Sequence, residues 1–249
     1  GRVKILKQFV DKLFIIFPFE IEYFKKHGIE PVYEGNPSPD AIESKVKESP
    51  TFDEFTAKND LSHKPIIALV AGSRKQEIKY NLPVMLKMID RFPDYQFVIA
   101  GAPSLSESIY APYIAGKNVK LIFGQTYPLF KSSTLAFVTS GTATLEAALL
   151  NVPQVVCYKG NFFSMIIVWM VIKVKYISLV NLNMETEVVR ELKQYDLTPN
   201  NLYNEAIKLI PGTEERKAML NNYAKLRQML GETGTSKRVG AKMVEFITK

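Results

Sequence analysis

Short apolar runs that alternate with helical patterns fill the first two thirds of this 249-residue chain. Each run is apolar almost throughout, which is typical of a strand buried on both faces of a sheet. The runs are KLFIIF, IIALVAG, YQFVIAG, VKLIFG, LAFVTS and PQVVCYK. Strands that alternate with helices in this way form a parallel sheet with helices on both faces. The pattern therefore predicts an α/β, Rossmann-like fold.

Helical patterns separate these runs and then replace them toward the C-terminus. One helix is predicted within PFEIEYFKKHG, and a longer one ends near Arg91, with Pro83 marking the start of its regular part. The strand-like runs fade after Tyr176. From Asn200 onward the chain reads as consecutive helices rich in Glu, Lys and Leu. These C-terminal helices are expected to close the sheet.

Composition shifts divide the chain into four predicted regions. Residues 36–64 are polar, contain several Pro, Ser, Glu and Lys residues, and show neither helical nor strand periodicity. Such a segment is typical of a linker, with room for one short helix. The predicted regions are an N-terminal piece at 1–40, a linker at 41–64, the Rossmann-like domain at 65–232 and a C-terminal helix at 233–249.

The charge balance favours an acidic partner. The net charge is +7 and the isoelectric point is about 9.2, which suits nucleic acid, nucleotide phosphate or an anionic membrane surface. The basic residues are dispersed through helices instead of forming a stripe interleaved with aromatic residues, which argues against nucleic acid. The sequence contains no Walker loop, no Cys or His cluster and only two histidines. No metal site and no cofactor are therefore predicted.

Two further features bear on the surroundings of the chain. Cys157 is the single cysteine, so no internal disulfide can form, and its neighbours predict a buried thiol in a reducing compartment. The longest apolar run, FFSMIIVWMVI at 162–172, is too short to span a bilayer as a helix. Lys173 and Lys175 follow it, so the run suits either a buried helix or a membrane-surface patch with cationic anchors.

Ligands of open parallel sheets gather where strands end, so the residues after each run are candidate site residues. After the second run, Gly72 and Ser73 leave the strand, and Ser73 has the spacing of a capping box with Gln76. A capped helix start explains most of this cluster. It does not explain Arg74, whose guanidinium at the mouth of the sheet suits a phosphate group.

The stretch SGTATLE after the fifth run forms a second cluster. Ser140, Gly141 and Thr142 place hydroxyls and an unobstructed backbone at a helix N-terminus, where a diphosphate is commonly bound. Glu146 follows Thr142 by one helical turn and is an isolated charge among apolar residues. Because phosphate would repel a carboxylate, Glu146 is expected to accept hydrogen bonds from the vicinal hydroxyls of a ribose. The alternative is an ordinary surface glutamate.

Two other runs are followed by weaker candidates. Lys159 follows the last run and would add a second positive charge to the anion pocket, although a solvated lysine is the simpler explanation. FGQTYPLF follows the fourth run, and its backbone groups from Gly124 to Tyr127 would form a floor against which a base packs.

The order and approximate spacing of these clusters resemble one known family. FPFEIEYFKKHGIEPVYEGNPSPD, GSRKQEI, SGTATLEAALLNVPQVVCYK and YISLVNL are similar to the later part of the lipid-A-disaccharide synthases. These are inverting glycosyltransferases with the two-lobed GT-B fold. They transfer 2,3-diacylglucosamine from UDP to 2,3-diacylglucosamine 1-phosphate, which forms the β-1,6-linked lipid A disaccharide. The resemblance covers nearly the whole chain and implies a UDP-sugar-binding lobe.

The resemblance also implies roles for single residues. Arg74 falls on an essential arginine near the UDP diphosphate, Glu146 on the ribose-binding acid, and Asn181 on an asparagine that lines the donor site. The complete set predicted to bind the UDP-sugar donor is Gly72, Ser73, Arg74, Gly124, Tyr127, Ser140, Gly141, Thr142, Glu146, Lys159, Asn181 and Glu187.

Three positions depart from the family pattern. Asn36 stands where a histidine is usual, Val180 where a proline is usual, and Thr186 where an arginine is common. Glu187, the next residue, keeps the acid of that last segment. The departures concern the sugar and acyl end of the implied site more than its nucleotide end.

In this family the acceptor lobe and its catalytic aspartate precede the point where this sequence begins. Residues 1–40 are therefore expected to be a remnant of that lobe, 65–232 the nucleotide-sugar-binding domain, and 233–249 a helix that packs toward the other lobe or a partner chain. Because the sequence does not open on methionine, it is expected to be part of a longer protein. It would bind the donor without catalysing transfer.

The implied partners are UDP-2,3-diacylglucosamine, a lipid X type acceptor, the anionic cytoplasmic surface of the inner membrane and a second copy in a homodimer. Two other interpretations stay open. One is another GT-B enzyme, such as a UDP-N-acetylglucosamine 2-epimerase or a cell-wall N-acetylglucosaminyltransferase. The other is a non-catalytic, basic module that binds a membrane surface.

Overall fold

Eight strands occur in the part of the chain that the computed structural model describes, which comprises residues 2–160, 175–231 and 233–248. They are Leu13–Ile15 (β1), Pro31–Tyr33 (β2), Ile66–Val70 (β3), Gln96–Gly101 (β4), Val119–Phe123 (β5), Ser133–Thr139 (β6), Gln154–Tyr158 (β7) and Glu191–Lys193 (β8). The last six form one sheet, and all the pairings within it are parallel. The first two pair in parallel as a separate unit.

Helices connect these strands and extend beyond the last of them. They are Arg2–Phe9 (α1), Phe19–Lys26 (α2), Ser38–Lys47 (α3), Phe52–Lys58 (α4), Lys75–Leu86 (α5), Ala111–Ile114 (α6), Thr126–Ser132 (α7), Thr142–Leu149 (α8), Leu179–Met184 (α9), Pro199–Ala206 (α10), Glu214–Leu230 (α11) and Thr235–Ile247 (α12). The last three are the C-terminal helices that the sequence predicts.

The strand order places β3 and β6 side by side in the middle of the sheet. Across the sheet the order is β5-β4-β3-β6-β7-β8, so the chain first moves outward from β3 and then returns to continue outward from β6. Ala68 of β3 lies in register with Val98 of β4 on one side and Ala136 of β6 on the other. Ligands in open α/β sheets bind where the strand order reverses. The boundary between β3 and β6 is that switch point.

Side chains of β3 alternate between two cores, one on each face of the sheet. Ile67 and Leu69 belong to the larger core, together with buried residues of α5, α8, α10 and α11. Ile66 and Ala68 belong to the smaller core, where they meet Phe55 of α4 and residues of α7. Each fully buried Leu or Ile side chain contributes roughly 1.5 to 3 kcal/mol to folding. The predicted Rossmann-like sheet with helices on both faces is confirmed.

The final helix, α12, contacts the small unit formed by β1, α2 and β2. The rings of Phe14 and Phe246 meet edge to face, with 6.1 Å between their centroids. The guanidinium of Arg238 donates to the backbone oxygen of Glu34 at 3.2 Å. The predicted C-terminal helix therefore packs onto the N-terminal piece. Whether that piece belongs to an acceptor lobe stays a prediction.

Two helices, α3 and α4, occupy the segment that the sequence predicts to be an aperiodic linker. Ile42 of α3 and Phe55 of α4 are buried in the two cores. Thr51 begins α4 with a capping box, in which its side chain accepts from the backbone of Glu54 and the glutamate side chain accepts in return. The segment thus contains two helices where the sequence predicts at most one short helix, and its role as a linker stays a prediction.

The prediction that the helix before Arg91 properly begins at Pro83 is also wrong. Helix α5 begins at Lys75, and Pro83 lies inside it. A proline in a helix removes one backbone hydrogen bond. The last turn persists because Leu82, Met85 and Leu86 are buried in the larger core.

Two strands, β2 and β8, were not predicted, because each has three residues and, unlike β1, neither lies within a longer apolar run. The apolar run at 162–172 lies outside the described residues. Among the residues that are described, none of the helices combines the length and the apolar character that crossing a membrane requires.

Candidate functional site

A cavity of about 420 Å³ opens at the carboxyl ends of the strands, at the switch point between β3 and β6. Ligand pockets commonly enclose about 300 to 1,000 Å³. Its walls come from the turns that follow β3, β4 and β6 and from the first turns of α5 and α8. The lining residues are Val70, Gly72, Ser73, Arg74, Glu77, Ala100, Gly101, Ala102, Pro103, Thr126, Thr139, Ser140, Gly141, Thr142, Ala143 and Glu146.

The turn between β3 and α5 forms one wall of the cavity. Gly72 has a positive φ of 110°, and a side chain there would collide with that of Glu77. One carboxylate oxygen of Glu77 accepts from the backbone N–H groups of Ser73, at 2.8 Å, and Arg74, at 3.2 Å. The predicted capping box of Ser73 with Gln76 is wrong, because α5 begins one residue later and its third position is Glu77.

Arg74 presents its positive charge at the rim of the cavity. Its guanidinium Nη1 lies 2.9 Å from Oε1 of Glu77, and its side chain is 80% exposed. Exposed ion pairs of this kind contribute about 0 to 1 kcal/mol, so little energy opposes movement of the guanidinium toward an anion. Arginine suits this role because its planar group can donate two parallel hydrogen bonds to a phosphate.

The turn between β6 and α8 forms the opposite wall. Gly141 adopts φ 152° and ψ −164°, a backbone conformation that is essentially open to glycine alone. Thr142 begins α8 directly after it, so the first free N–H groups of the helix face the cavity. The N-terminus of a helix attracts anions through these groups and through the helix dipole. This wall therefore suits a phosphate.

Glu146 and Tyr127 form a hydrogen-bonded pair at the cavity. The phenol of Tyr127 donates to Oε1 of Glu146 at 3.1 Å. Burial raises the pKa of Glu146 above its ordinary value, and the bond from Tyr127 partly offsets this. Burial, together with the nearby carboxylate, raises the pKa of Tyr127 to about 12, so the phenol keeps its proton and stays a donor. Among the described residues, no group donates a hydrogen bond to the second carboxylate oxygen of Glu146, which leaves it for a ligand hydroxyl.

Five of the predicted donor-site residues are not among those that line the cavity: Gly124, Tyr127, Lys159, Asn181 and Glu187. The backbone N–H of Lys159 donates to Asn81 at 2.8 Å. Glu187 pairs with Arg190 at 3.0 Å. Asn181 is completely buried and bonded to its own surroundings. Tyr127 reaches the cavity through Glu146, by its side chain and not by its backbone.

The sequence prediction missed two parts of this site. Glu77 was not singled out, although its place three residues after Arg74 is a capping position. The turn after β4, from Gly101 to Pro103, was not singled out either, although it follows a predicted strand. Among the described residues, no group of three or more His, Cys, Asp or Glu side chains is arranged to bind a metal ion.

Solved structures with the same fold include several sugar-nucleotide enzymes. MnaA of S. aureus, solved with UDP, superposes with a TM-score of 0.65 at 17% identity, over 98% of this chain and 62% of MnaA. The UDP-GlcNAc 2-epimerase of Neisseria meningitidis, solved with UDP-GlcNAc, gives 0.62 at 17% identity, over 93% and 61%. A glycosyltransferase of Rickettsia africae gives 0.63 at 11% identity, over 99% and 67%. At these identities the likeness concerns the fold alone.

Sequence comparison gives a closer relationship. The lipid-A-disaccharide synthase of Anaeromyxobacter dehalogenans strain 2CP-1 is 32% identical over 251 residues, which is 98% of this chain and 64% of the relative. That of Myxococcus xanthus is 33% identical over 255 residues, 99% of this chain and 65% of the relative. The chain thus spans about two thirds of the length of these relatives. The model of the lipid-A-disaccharide synthetase family matches residues 1–243. This chain therefore belongs to the lipid-A-disaccharide synthetase family.

Proposed function

We propose that this chain carries the donor nucleotide-sugar site of a lipid-A-disaccharide synthase. The whole protein would transfer 2,3-diacylglucosamine from UDP to 2,3-diacylglucosamine 1-phosphate. The observation that carries the proposal is the cavity at the switch point, where Arg74, the N-terminus of α8 and Glu146 meet. Family membership over residues 1–243 supports the same function.

In this proposal the nucleotide lies across the two walls of the cavity. The N–H groups at Gly141 and Thr142 and the guanidinium of Arg74 bind the diphosphate. The free oxygen of Glu146 accepts hydrogen bonds from the ribose hydroxyls, since the other oxygen is occupied by Tyr127. A carboxylate that can accept both hydroxyls discriminates ribose from deoxyribose.

The proposed reaction is a single displacement at the anomeric carbon. The acceptor hydroxyl oxygen attacks that carbon, and its proton passes to a base that the resemblance assigns to the preceding lobe. The bond from the anomeric carbon to the β-phosphate oxygen breaks, and UDP leaves with the electron pair. Inversion follows from one displacement. Arg74 and the N-terminus of α8 would offset the charge that develops on UDP, as preorganised donors do.

Calorimetric titration of UDP into the protein tests the site. Glu146→Gln and Arg74→Ala should each weaken binding by about 1 to 3 kcal/mol, the range expected for a lost charged hydrogen bond. Glu205→Gln and Arg190→Ala are matched controls, because each removes a charge from an ion pair that does not line this cavity. The controls should bind UDP as the unaltered protein does. Absence of UDP binding by the unaltered protein would contradict the proposal.

A competing proposal is a UDP-N-acetylglucosamine 2-epimerase, because several solved epimerases share this fold. Their identity of 15 to 17% stands against 32 to 33% for the synthases. Comparison of donors separates the two functions. A synthase should bind UDP-2,3-diacylglucosamine more tightly than UDP-N-acetylglucosamine, because acyl chains add buried apolar area. An epimerase should prefer the simple sugar nucleotide and convert it.

The proposed partners follow from the reaction and from the charge of the chain. Both lipid substrates reside in a membrane, and a net charge of +7 suits the anionic cytoplasmic surface of the inner membrane. A homodimer is also part of the proposal. Sedimentation with vesicles that contain anionic lipid should retain the protein at low salt and release it as salt rises. Retention on neutral vesicles alone would contradict the electrostatic part.

A further inference from the structure

A buried carboxylate outside the cavity binds the segment that follows residue 174. Glu191 is 6% exposed, and its oxygens accept from the backbone N–H groups of Ile177, at 3.0 Å, and Ser178, at 2.9 Å. They also accept from the side chains of Asn181, at 2.9 Å, and Lys193, at 3.3 Å. A buried charge requires this many partners to offset its desolvation. Glu191 therefore fixes the backbone at Ile177 and Ser178.

The same backbone segment contacts the phosphate wall of the cavity. The hydroxyl of Ser140 donates to the carbonyl oxygen of Ile177 at 2.7 Å. Ser140 lines the cavity and precedes Gly141, the residue with the glycine-only conformation before α8. Glu191 thus reaches the phosphate wall through the N–H of Ile177, the carbonyl of the same residue and the hydroxyl of Ser140. One residue, Ile177, therefore connects the carboxylate of Glu191 with Ser140 in the phosphate wall.

Asn181 fixes Glu191 from the other side. Its amide nitrogen donates to the carbonyl of Val189, at 2.8 Å, and to Glu191. Its amide oxygen accepts from the N–H groups of Val188, at 2.8 Å, and Val189, at 2.9 Å. Two donors and two acceptors exhaust the hydrogen-bonding capacity of an amide side chain. Asn181 therefore has no group left for a ligand.

We propose that Glu191, held by Asn181, is a positioning residue that fixes the diphosphate-binding turn at Ser140 and Gly141 through the backbone of Ile177. The inference rests on the proposed function of the cavity. It predicts that Glu191 affects ligands that carry phosphate and leaves contacts to the nucleoside unchanged. A residue that served stability alone would affect neither ligand once the protein is folded.

Calorimetric titration of UDP and of uridine tests this inference on folded variants of the protein. Glu191→Gln should weaken UDP binding about tenfold and leave uridine binding unchanged, since a small misplacement of binding groups costs this much or more. Ser140→Ala, which breaks the bond to Ile177, should do the same. The double variant should lose no more than the stronger single variant, because both changes break one connection. Arg74 lies on the opposite wall, so a variant that combines Glu191→Gln with Arg74→Ala should lose the sum of the two single losses in UDP binding free energy.

Controls separate positioning from folding. Glu205→Gln, which removes a carboxylate paired with Lys208 outside the cavity, should bind both ligands normally. If Glu191→Gln does not fold, Glu191→Asp replaces it, since it keeps the charge beside Lys193 and shortens the side chain by one methylene. Equal UDP affinity of folded Glu191 and Ser140 variants and the unaltered protein would overturn the inference and leave the proposed function standing. Failure of the unaltered protein to bind UDP would overturn both.

Discussion

If the cavity binds a nucleotide as proposed, the bond between Tyr127 and Glu146 should influence how that binding depends on pH. Removing the donated bond in Tyr127→Phe should raise the pKa of Glu146 further, because burial then acts unopposed. Arg74 and Glu77 are the other charged residues that line the cavity. In the proposed site the ribose hydroxyls donate to the ionised form of Glu146, so UDP affinity should fall on acidification, and in the variant the fall should begin at higher pH.

Titrations of UDP between about pH 5 and pH 8 measure this shift. Tyr195→Phe is the matched control, since Tyr195 is 79% exposed and does not line the cavity. Identical pH profiles for the Tyr127 variant and the unaltered protein would mean that the phenol does not tune Glu146.

Glu146 should also lower the stability of the protein without ligand as pH rises. Its folded pKa lies above the ordinary 4.5, so the folded state binds more protons than the unfolded state in the window between the two values. Stability therefore falls as pH rises through that window. Glutamine does not titrate, so the Glu146→Gln variant should not lose stability in this way. At pH values above the window it should therefore be more stable than the unaltered protein. Urea unfolding at both ends of the window should show the gain at the upper end alone.

Cys157 should be inert while the protein is folded. The thiol is buried, and burial raises its pKa well above the ordinary value. Reagents for thiols react with the thiolate, which this site disfavours. DTNB should therefore leave the folded protein unlabelled and modify one thiol per chain in urea. Rapid labelling without urea would contradict the burial.

At the scale of the elements, Glu77 joins the stability of α5 to the shape of the cavity. Its carboxylate caps the helix at Ser73 and Arg74. Glu77→Ala should lower the free energy of unfolding by about 0.5 to 2 kcal/mol, the cost of a lost cap. It should also weaken UDP binding, because the turn lines the cavity.

Urea unfolding and UDP titration together test the dual role of Glu77. Thr51→Ala is the control, since Thr51 caps α4 and does not line the cavity. It should lower stability while UDP affinity stays unchanged. Equal stability of the Glu77 variant and the unaltered protein would rule out the capping role.

The sequence predicts best the strands whose residues are nearly all apolar. Each of the six apolar runs contains a strand, and five of these strands lie in the six-stranded sheet, where most positions are apolar. The sequence predicts at most one short helix where α3 and α4 occur, and it does not predict the strand β8, because contacts with neighbouring elements determine these three elements. For β8, the buried Glu191 replaces an apolar residue, and its bonds to Ile177 and Ser178 are invisible in one sequence.

At the scale of the whole molecule, the topology of the sheet assembles the site. Arg74, Ser140, Gly141, Thr142 and Glu146 were predicted together because each follows a strand that ends at the same edge. Lys159, Asn181 and Glu187 were predicted from strand position or resemblance. Neither of these shows which residues the side chains contact in the folded protein, and none of the three lines the cavity. The folded chain uses Asn181 to hold its own backbone.

Asp40 connects two distant parts of the molecule by attaching the start of α12 to α3. The carboxylate of Asp40, in α3, accepts from the backbone N–H groups of Gly234, at 2.5 Å, and Ser236, at 3.0 Å, at the start of α12. Burial alone would raise the pKa of Asp40, but the bonds from Ser236 and Gly234 outweigh it and lower the pKa below 3.8. Stability from this cap is therefore complete above that value and is lost as pH falls through the lowered pKa.

Asp40→Asn should loosen the first turn of α12 from α3 at neutral pH. Amide hydrogens of its first turn should exchange roughly fivefold faster, the factor that corresponds to about 1 kcal/mol for a lost cap. Glu30→Gln is the control, because it also removes a carboxylate, one that pairs with Lys25 in the unit of β1, α2 and β2. It should leave exchange in α12 unchanged. Because the cap needs the ionised carboxylate, the difference between Asp40→Asn and the unaltered protein should vanish in acid below the lowered pKa. A difference that persists there would mean that the charge of Asp40 is not what stabilises the first turn of α12.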